Sequence, residues 1–267
     1  MSEAQQTIQG DTIEPTVEIE TSGRVIRPWK QILQQIVNEI RIHVDSEGLH
    51  VSAVDPTNVC AIDTTLHAEA FEAYEATDTT LGIGLDYLGT ALQHARYGKR
   101  TDDEINLTFD KSDLQTTVER DVDGLNLSYN ERVALTDPRS LRDDFDKLDL
   151  SDSMDAQIEL PTKTFVEIIR KLTDGRGKSH VAFSGGETTT IGQEKETRHS
   201  QIEIDIETGQ ATARYPTHFM GDIATAMNNA LVETVSIEWG DEFPMFVTFD
   251  REDVYSGSIM VAPRIQS

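Results

Sequence analysis

Three apolar patterns occur twice in this chain, in the same order and at nearly the same separation. Trp29, Ile32, Leu33 and Ile36 fall at i, i+3, i+4 and i+7, the spacing of one helix face, and Phe165, Ile168, Ile169 and Leu172 repeat it. Leu88, Ala91, Leu92 and Ala95 are matched by Met220, Ile223, Ala224 and Met227. The alternating run Ile105, Leu107, Phe109 is matched by Val235, Ile237, Trp239. The separations are roughly 136, 132 and 130 positions, and loop-length changes account for the drift. Any α+β chain offers some matching stripes. Three in one order at nearly one separation make duplication the better explanation.

Between the copies lies Thr136 to Met154, rich in aspartate (Asp137, Asp143, Asp144, Asp146, Asp149, Asp152) and thin in apolar residues. It holds neither a period of 2 nor one of 3.6, and Pro138 stands near its start, so it reads as an extended acidic connector. The expected organisation is a polar leader over 1–15, a first domain over 16–135, the connector over 136–154 and a second domain over 155–267. A chain of 267 residues is long enough for two domains with real cores. No apolar run approaches the ~18 residues of a membrane span. The single cysteine, Cys60, excludes an internal disulfide and suits a cytoplasmic protein.

The chain carries 48 acidic against 23 basic residues, a formal net charge of −25, while 37% of it is hydrophobic. It is therefore a folded protein with an acidic skin rather than a disordered one. Such a skin keeps a protein soluble in molar salt. The competing explanation is an acidic protein that mimics nucleic acid or binds a basic partner, and the even spread of acids favours salt. The positive charges are less even. Arg24, Arg27 and Lys30 accompany the first helical stripe, and Arg96, Lys99 and Arg100 follow the second. Lys163, Arg170, Lys171, Arg176 and Lys178 accompany the third, and Arg214 precedes the fourth. This clustering fits one surface facing an anion, but helix ends attract Lys and Arg for dipole reasons as well.

Along each half the pattern is a strand, a helix, several strands, a second helix and more strands. Pro28 suits the first turn of a helix that reaches about Val37, and Asp86 suits the cap of the second. Strands alternating on one face, with two helices per half, mean α+β architecture: antiparallel sheet with helices on one side. No chemistry emerges. The seven histidines show no metal-binding spacing, and one cysteine cannot make a zinc thiolate site, so neither metal nor cofactor is expected. Gly82-x-Gly84 reads as a bent strand feeding a helix. Gly175 to Ser179 lacks the first glycine of a phosphate loop and reads as a basic loop. No catalytic constellation stands out, and the chain is not expected to be an enzyme.

The run Gly48 to Val59, with its Ala53-Val54-Asp55-Pro56-Thr57-Asn58 centre, resembles a segment of the proliferating cell nuclear antigen (PCNA) family of DNA sliding clamps. The tail Met260 to Ile265 is similar to that family's C-terminus, Gly240 to Pro244 to its late strand turn, and Leu135 to Asp137 to the entry of its connector. The acidic skin points to an extreme halophile or its virus. The resemblance implies a head-to-tail homotrimer with helices lining a channel for double-stranded DNA, and no catalysis. It implies that short peptide motifs of DNA polymerase, clamp loader, ligase and nuclease dock in a hydrophobic groove beside the connector.

Carried over position by position, the groove would use Val54, Asn58, Val59, Ala61 and Leu141, with Pro244, Met260, Ala262 and Pro263. The twelve clustered cations above would face DNA. Subunits would join through Leu125, Leu127 and Tyr129 against an edge at Arg198, Gln201 and Glu203 of the neighbour. Thr90 and Gln93 stand where clamps of this family often place lysines. That departure keeps open a second reading, an adaptor that binds replication proteins without encircling DNA.

Overall fold

The computed structural model describes residues 17–96, 102–110, 112–142, 154–173, 180–195 and 198–264. The expected leader, most of the connector and the loop Gly175 to Ser179 lie outside these residues. The first half runs β1 (Val17–Ser22), α1 (Gly23–Leu33), β2 (Glu39–Asp45), β3 (Gly48–Val54), β4 (Cys60–His67), β5 (Ala73–Glu75), β6 (Thr79–Gly84), α2 (Leu85–Ala91), β7 (Glu104–Phe109), β8 (Asp113–Val122) and β9 (Leu125–Ala134). The second runs β10 (Ala156–Pro161), α3 (Thr162–Thr173), β11 (His180–Ser184), β12 (Thr189–Lys195), β13 (Arg198–Ile204), β14 (Thr212–Pro216), α4 (Thr217–Asn229), β15 (Thr234–Trp239), β16 (Met245–Arg251) and β17 (Tyr255–Val261).

Strand pairing repeats as the apolar stripes do. The order β1-β7-β8-β9 recurs as β10-β15-β16-β17, and β4-β3-β2-β6 recurs as β13-β12-β11-β14, all antiparallel. One pairing crosses the halves: β17 lies against β4, from Tyr255 opposite Leu66 to Val261 opposite Cys60. It fuses two four-stranded units into one eight-stranded sheet. The helices pack on one side in the order α2-α1-α4-α3, so α1 against α4 also crosses the halves. Every residue of the six matched stripes is buried. Removing a side chain of that size from water contributes about 1.5–3 kcal/mol, so the periodicity alone selects the inward faces.

Two local expectations need correction. Helix α1 begins at Gly23, which places Pro28 inside it rather than in its first turn, and it ends at Leu33 rather than near Val37. Proline has no N–H for the carbonyl four residues earlier. That carbonyl, Arg24 O, instead accepts a hydrogen bond of 2.8 Å from Arg251 Nη1 of β16, so a break in one half is mended by the other. Asp86 is not the cap of α2. Gly84 holds the cap position, and Asp86 sits in the first turn, accepting from Gln34 Nε2 at 3.2 Å. In β4 the inward residues are Cys60, Ile62, Thr64 and Leu66.

Candidate docking groove and helical face

The sheet face away from the helices carries one apolar row. Phe246 pairs with Met260, Met260 with Ala61, and Ala61 with Val54, so the row crosses β16, β17, β4 and β3 at one level. The next row inward, Thr248, Ser258, Asp63 and Ser52, is polar. Alternation therefore confines the apolar stripe to one end of the sheet, across the junction of the halves. Val59, Ala262 and Pro244 stand at the ends of the same strands, and Ala262 N–H donates to Val59 O at 2.8 Å. Val54, Val59, Met260, Ala262, Pro263 and Pro244 are half-buried, Asn58 is exposed, and Ala61 is buried as floor. Phe246 belongs to this row but was not among the residues expected there. Its neighbours Met245 and Val247 carry the inward alternation, so sequence pattern gave its outward position no weight.

The loop that presents Asn58 and Val59 hangs on one side chain. Asp55 Oδ1 accepts from Val59 N–H and Cys60 N–H, both at 2.7 Å, and Oδ2 accepts from Thr57 N–H at 2.8 Å and its hydroxyl at 2.5 Å. Burial would raise this carboxyl, but the bonds from Cys60, Thr57 and Val59 outweigh it and hold it below the usual carboxylate value. Asn58 takes the left-handed conformation at φ 59°, as asparagine tolerates.

The connector closes the other side. Thr136 N–H donates to Gly82 O at 2.8 Å, and a side chain at Gly82 would lie 2.4 Å from Thr136 O, so only glycine admits this approach. Arg41 donates through Nε and Nη2 to Pro138 O at 3.1 and 2.8 Å and through Nη2 to Leu141 O at 3.1 Å. Arg142 Nη1 donates to Asp55 O at 2.8 Å, tying connector to loop. Leu141 is buried here. Between connector and sheet is a cavity of about 500 Å³ walled by Val37, Ala53, Val54, Pro56 and Leu141, with Arg41 and Arg142 among its polar residues. Of the groove residues expected from sequence, Val54 and Leu141 line it. The others lie along the apolar row beyond Val54. The β2 segment and the two arginines were missed, because nothing local in their sequence marks a surface completed by a segment a hundred residues away.

On the helical side the expected cations divide. Arg24, Lys163, Arg170 and Lys171 are exposed, as is Arg96 beyond α2. Lys171 is paired with Glu167 at 2.6 Å, and Arg24 Nε lies 3.8 Å from Asp102. Arg27 donates to Ala95 O and Leu92 O at the end of α2. Lys30 is half-buried with Gln34 Oε1 at 2.5 Å, and burial lowers its pKa despite Asp86, with Arg27 adding to the lowering. Lys99, Arg100, Arg176 and Lys178 lie outside the described residues. Arg214 is a correction: Ala213 and Tyr215 of β14 point into the core, so Arg214 faces the side away from the helices. Exposed positions of α2 are Asp86, Tyr87 and Thr90, with Gln93 just past its end, and no cation is among them.

Both strands expected at a subunit contact are sheet edges. On β9, Leu125 is 67% exposed and Leu127 38%, and Tyr129 is half-buried, stacked on His94. On β13, Gln201 and Glu203 are exposed, while the side chain of Arg198 lies outside the description. Cys60 is buried, which pushes its thiol pKa upward, away from nucleophile chemistry. Among the described residues no group of His, Cys, Asp and Glu is placed to hold a metal ion, and no helix is long and apolar enough to cross a membrane.

Known proteins share this arrangement. The sequence model of the proliferating cell nuclear antigen N-terminal domain matches residues 21–124. The chain is 32% identical over 248 residues to a DNA polymerase sliding clamp of Halobacterium salinarum, covering 87% of this chain and 92% of that one. It is 31% identical over 245 residues to the clamp of Natronomonas pharaonis, with the same coverage. Among solved structures, PCNA of A. fulgidus bound to the C-terminal region of FEN-1 superposes with a TM-score of 0.78 at 21% identity, covering 94% of this chain and 99% of that chain. The PCNA2–PCNA3 complex of Sulfolobus tokodaii gives 0.75 at 18% identity, covering 92% and 99%.

Proposed function

The chain belongs to the PCNA family of DNA polymerase sliding clamps, and from that premise we propose that three copies close into a ring around duplex DNA and carry replication enzymes on their outer face. One observation carries this reading. The fold joins its own halves through β17 and β4, and the repeat supplies the same two strands again, β9 and β13, as unpaired sheet edges. A head-to-tail contact between β9 of one copy and β13 of the next repeats the internal junction, and such contacts close when the rotation fits.

The internal repeat also sets the register. The ladder Val235, Phe249, Gly257 corresponds to Ile105, Val118, Tyr129. Thr80, His43, His50, Thr65 corresponds to Thr212, Ser184, Thr190, Glu203. Since Gly257 faces Thr64 inside the chain, Tyr129 faces Ile202 of the neighbouring copy. Tyr129→Cys with Ile202→Cys then gives a covalent trimer under mild oxidation, and Tyr129→Cys with Glu203→Cys gives far less. Equal cross-linking, or a strict monomer by light scattering in molar salt, overturns the ring.

In this ring the helices face inward, and topology rather than charge retains DNA. At ~1 M salt the Debye length is about 3 Å and phosphate contacts weaken steeply, so a channel with few cations suffices. Loaded protein stays on circular DNA and runs off linear DNA; loss from both favours the adaptor, which the cation-free face of α2 would suit. Partners dock through apolar burial in the groove and the 500 Å³ cavity, a term of roughly 25 cal/mol per Å² that salt does not screen. The protein acts as a scaffold without catalysis. Leu141→Ala together with Pro263→Ala weakens binding of a labelled FEN-1-type C-terminal peptide. Unchanged affinity removes the groove assignment.

A further inference from the structure

The connector crosses the sheet at one cross-strand pair. Gly82 of β6 stands directly opposite Arg41 of β2. Gly82 O accepts from Thr136 N–H at 2.8 Å, and a side chain on Gly82 would also come within 3.0 Å of Leu141 Cδ1. The missing side chain thus seats Leu141, and the arginine opposite reaches the turn that follows Thr136. That turn is built locally. Asp137 Oδ1 accepts from Arg139 N–H at 3.0 Å, Ser140 N–H donates to Asp137 O at 2.9 Å, and Leu141 N–H donates to Pro138 O at 3.2 Å. Asp137 also pairs with the Arg139 guanidinium at 2.9 Å, so the carboxylate of the turn is taken. Arg41 instead grips main-chain oxygens, Pro138 O through Nε and Nη2 and Leu141 O through Nη2. Bonds to the main chain fix the path of the backbone, and a charged donor strengthens them.

The duplicated half shows what this pair adds. Two residues along the ladder from Ser184 and Thr212, the counterparts of Arg41 and Gly82 are Ala182 and Arg214, again cross-strand partners. The chain after β17 crosses there too, with Arg264 N–H donating to Arg214 O at 2.7 Å as Thr136 N–H donates to Gly82 O. The crossing is common to both halves. The glycine seat and the arginine grip belong to the half whose crossing chain is the connector.

We infer that Arg41 is a positioning residue for partner docking: it holds the connector over Gly82 and so keeps Leu141 in place as a wall of the cavity of about 500 Å³ before a partner arrives. The inference rests on the docking reading above and adds to it the device that keeps the groove formed. Arg142 carries the hold onward, since its bond to Asp55 O joins the turn to the loop that presents Val59. Without Arg41 the turn keeps its own bonds, but the connector spends only part of its time against the sheet. A partner then meets fewer formed grooves, and the apparent affinity falls by the fraction formed. That loss falls on association, whereas losing a direct contact with the peptide speeds dissociation.

The test uses full-length protein in molar salt and the labelled FEN-1-type C-terminal peptide. Stopped-flow fluorescence measures both rates on wild type, Arg41→Ala, Arg41→Lys and Leu141→Ala, and amide hydrogen exchange follows residues 136–142 without peptide. Arg41→Ala weakens binding about five- to twentyfold, nearly all of it in the association rate, and exchange over 136–142 quickens. Arg41→Lys, an ammonium that donates to the same oxygens without the planar fork, recovers part of the loss. Leu141→Ala, by contrast, speeds dissociation. Should Arg41→Ala fail to fold, Arg41→Gln keeps most of the stem and puts the same question. Unchanged association in a folded Arg41 variant, or a loss carried by dissociation, overturns the positioning role and leaves the groove standing. Faster exchange with no change in association makes the grip a structural bond only and overturns the role as well. Failure of wild type to bind the peptide overturns the docking reading and this inference with it.

Discussion

The closed junction between β4 and β17 and the open edges of β9 and β13 are the same structural feature in two states. At the junction Tyr255, Ile259 and Val261 are fully buried against β4, and Gly257 lets the strands close, since a side chain there would lie 2.6 Å from Asp63 O. On β9 the equivalent stretch keeps Leu127 exposed and puts Glu131 where Ile259 stands. A duplicated unit thus uses one copy of its pairing surface to hold itself together and leaves the other open, the edges that the proposed ring would fill. The difference is one of wetting: the core-facing positions of the internal strand are the apolar Tyr255, Ile259 and Val261, while the equivalent positions of the external one, Leu127, Glu131 and Val133, mix polar and apolar residues, as a surface must that is exposed before assembly.

The largest effect that can separate the two states is truncation. Tyr255→Ala should cost about 3–5 kcal/mol, because a buried ring is lost together with its hydrogen bond to Ala230 O. Leu127→Ala should leave protomer stability within about 0.5 kcal/mol of wild type, yet raise the concentration needed for the full ring. Urea unfolding in molar salt followed by tryptophan fluorescence, with light scattering for mass, measures both. Equal losses of protomer stability break the comparison.

Asp55 comes next, because it fixes the loop that leads into β4. Asp55→Asn should cost about 2–3 kcal/mol near neutral pH. Its folded pKa is depressed, so the stabilisation is present above the unfolded value near 4 and is lost as pH falls through the folded value. The stability difference between wild type and variant should therefore close on acidification, which pH-dependent unfolding would reveal. A constant difference places the effect in packing instead.

A smaller effect sharpens the junction itself. Arg251→Ala should cost about 1 kcal/mol by leaving Arg24 O without its donor. In a Pro28→Ala background the helix regains its own N–H at that point, so the Arg251 penalty should shrink. A double-mutant cycle with no coupling would sever that link between the halves. Smallest is the effect of adding charge to α2. Thr90→Lys should steepen the log–log salt dependence of DNA retention by about 0.9, and change nothing in molar salt.

Much of this is legible in the sequence. The buried stripes of α1 to α4, the strands β7 and β15, and the two-domain α+β architecture follow from period and composition. Burial of apolar residues dominates folding, and its periodicity is written locally. The Asp55-Pro56-Thr57-Asn58 run and the tail were legible only as resemblance, and for the run the structure supplies the reason in a carboxylate that gathers four donors. Pro28 misled, because the carbonyl that its ring cannot bond is met by Arg251, more than two hundred residues away.

Arg214 misled in a similar way. Its place beside a helix says nothing of which sheet face it takes, and one step of strand alternation sends it to the outer side, next to Arg264. The sequence by itself determined what must be buried, how often the unit is repeated, and that the surface is acidic. Only the tertiary structure decided which strand edges close on each other and which stay open, where the connector crosses Gly82, and which arginines meet. Those outcomes depend on contacts between residues far apart in the chain, and a side chain's local pattern records its environment but never its partner.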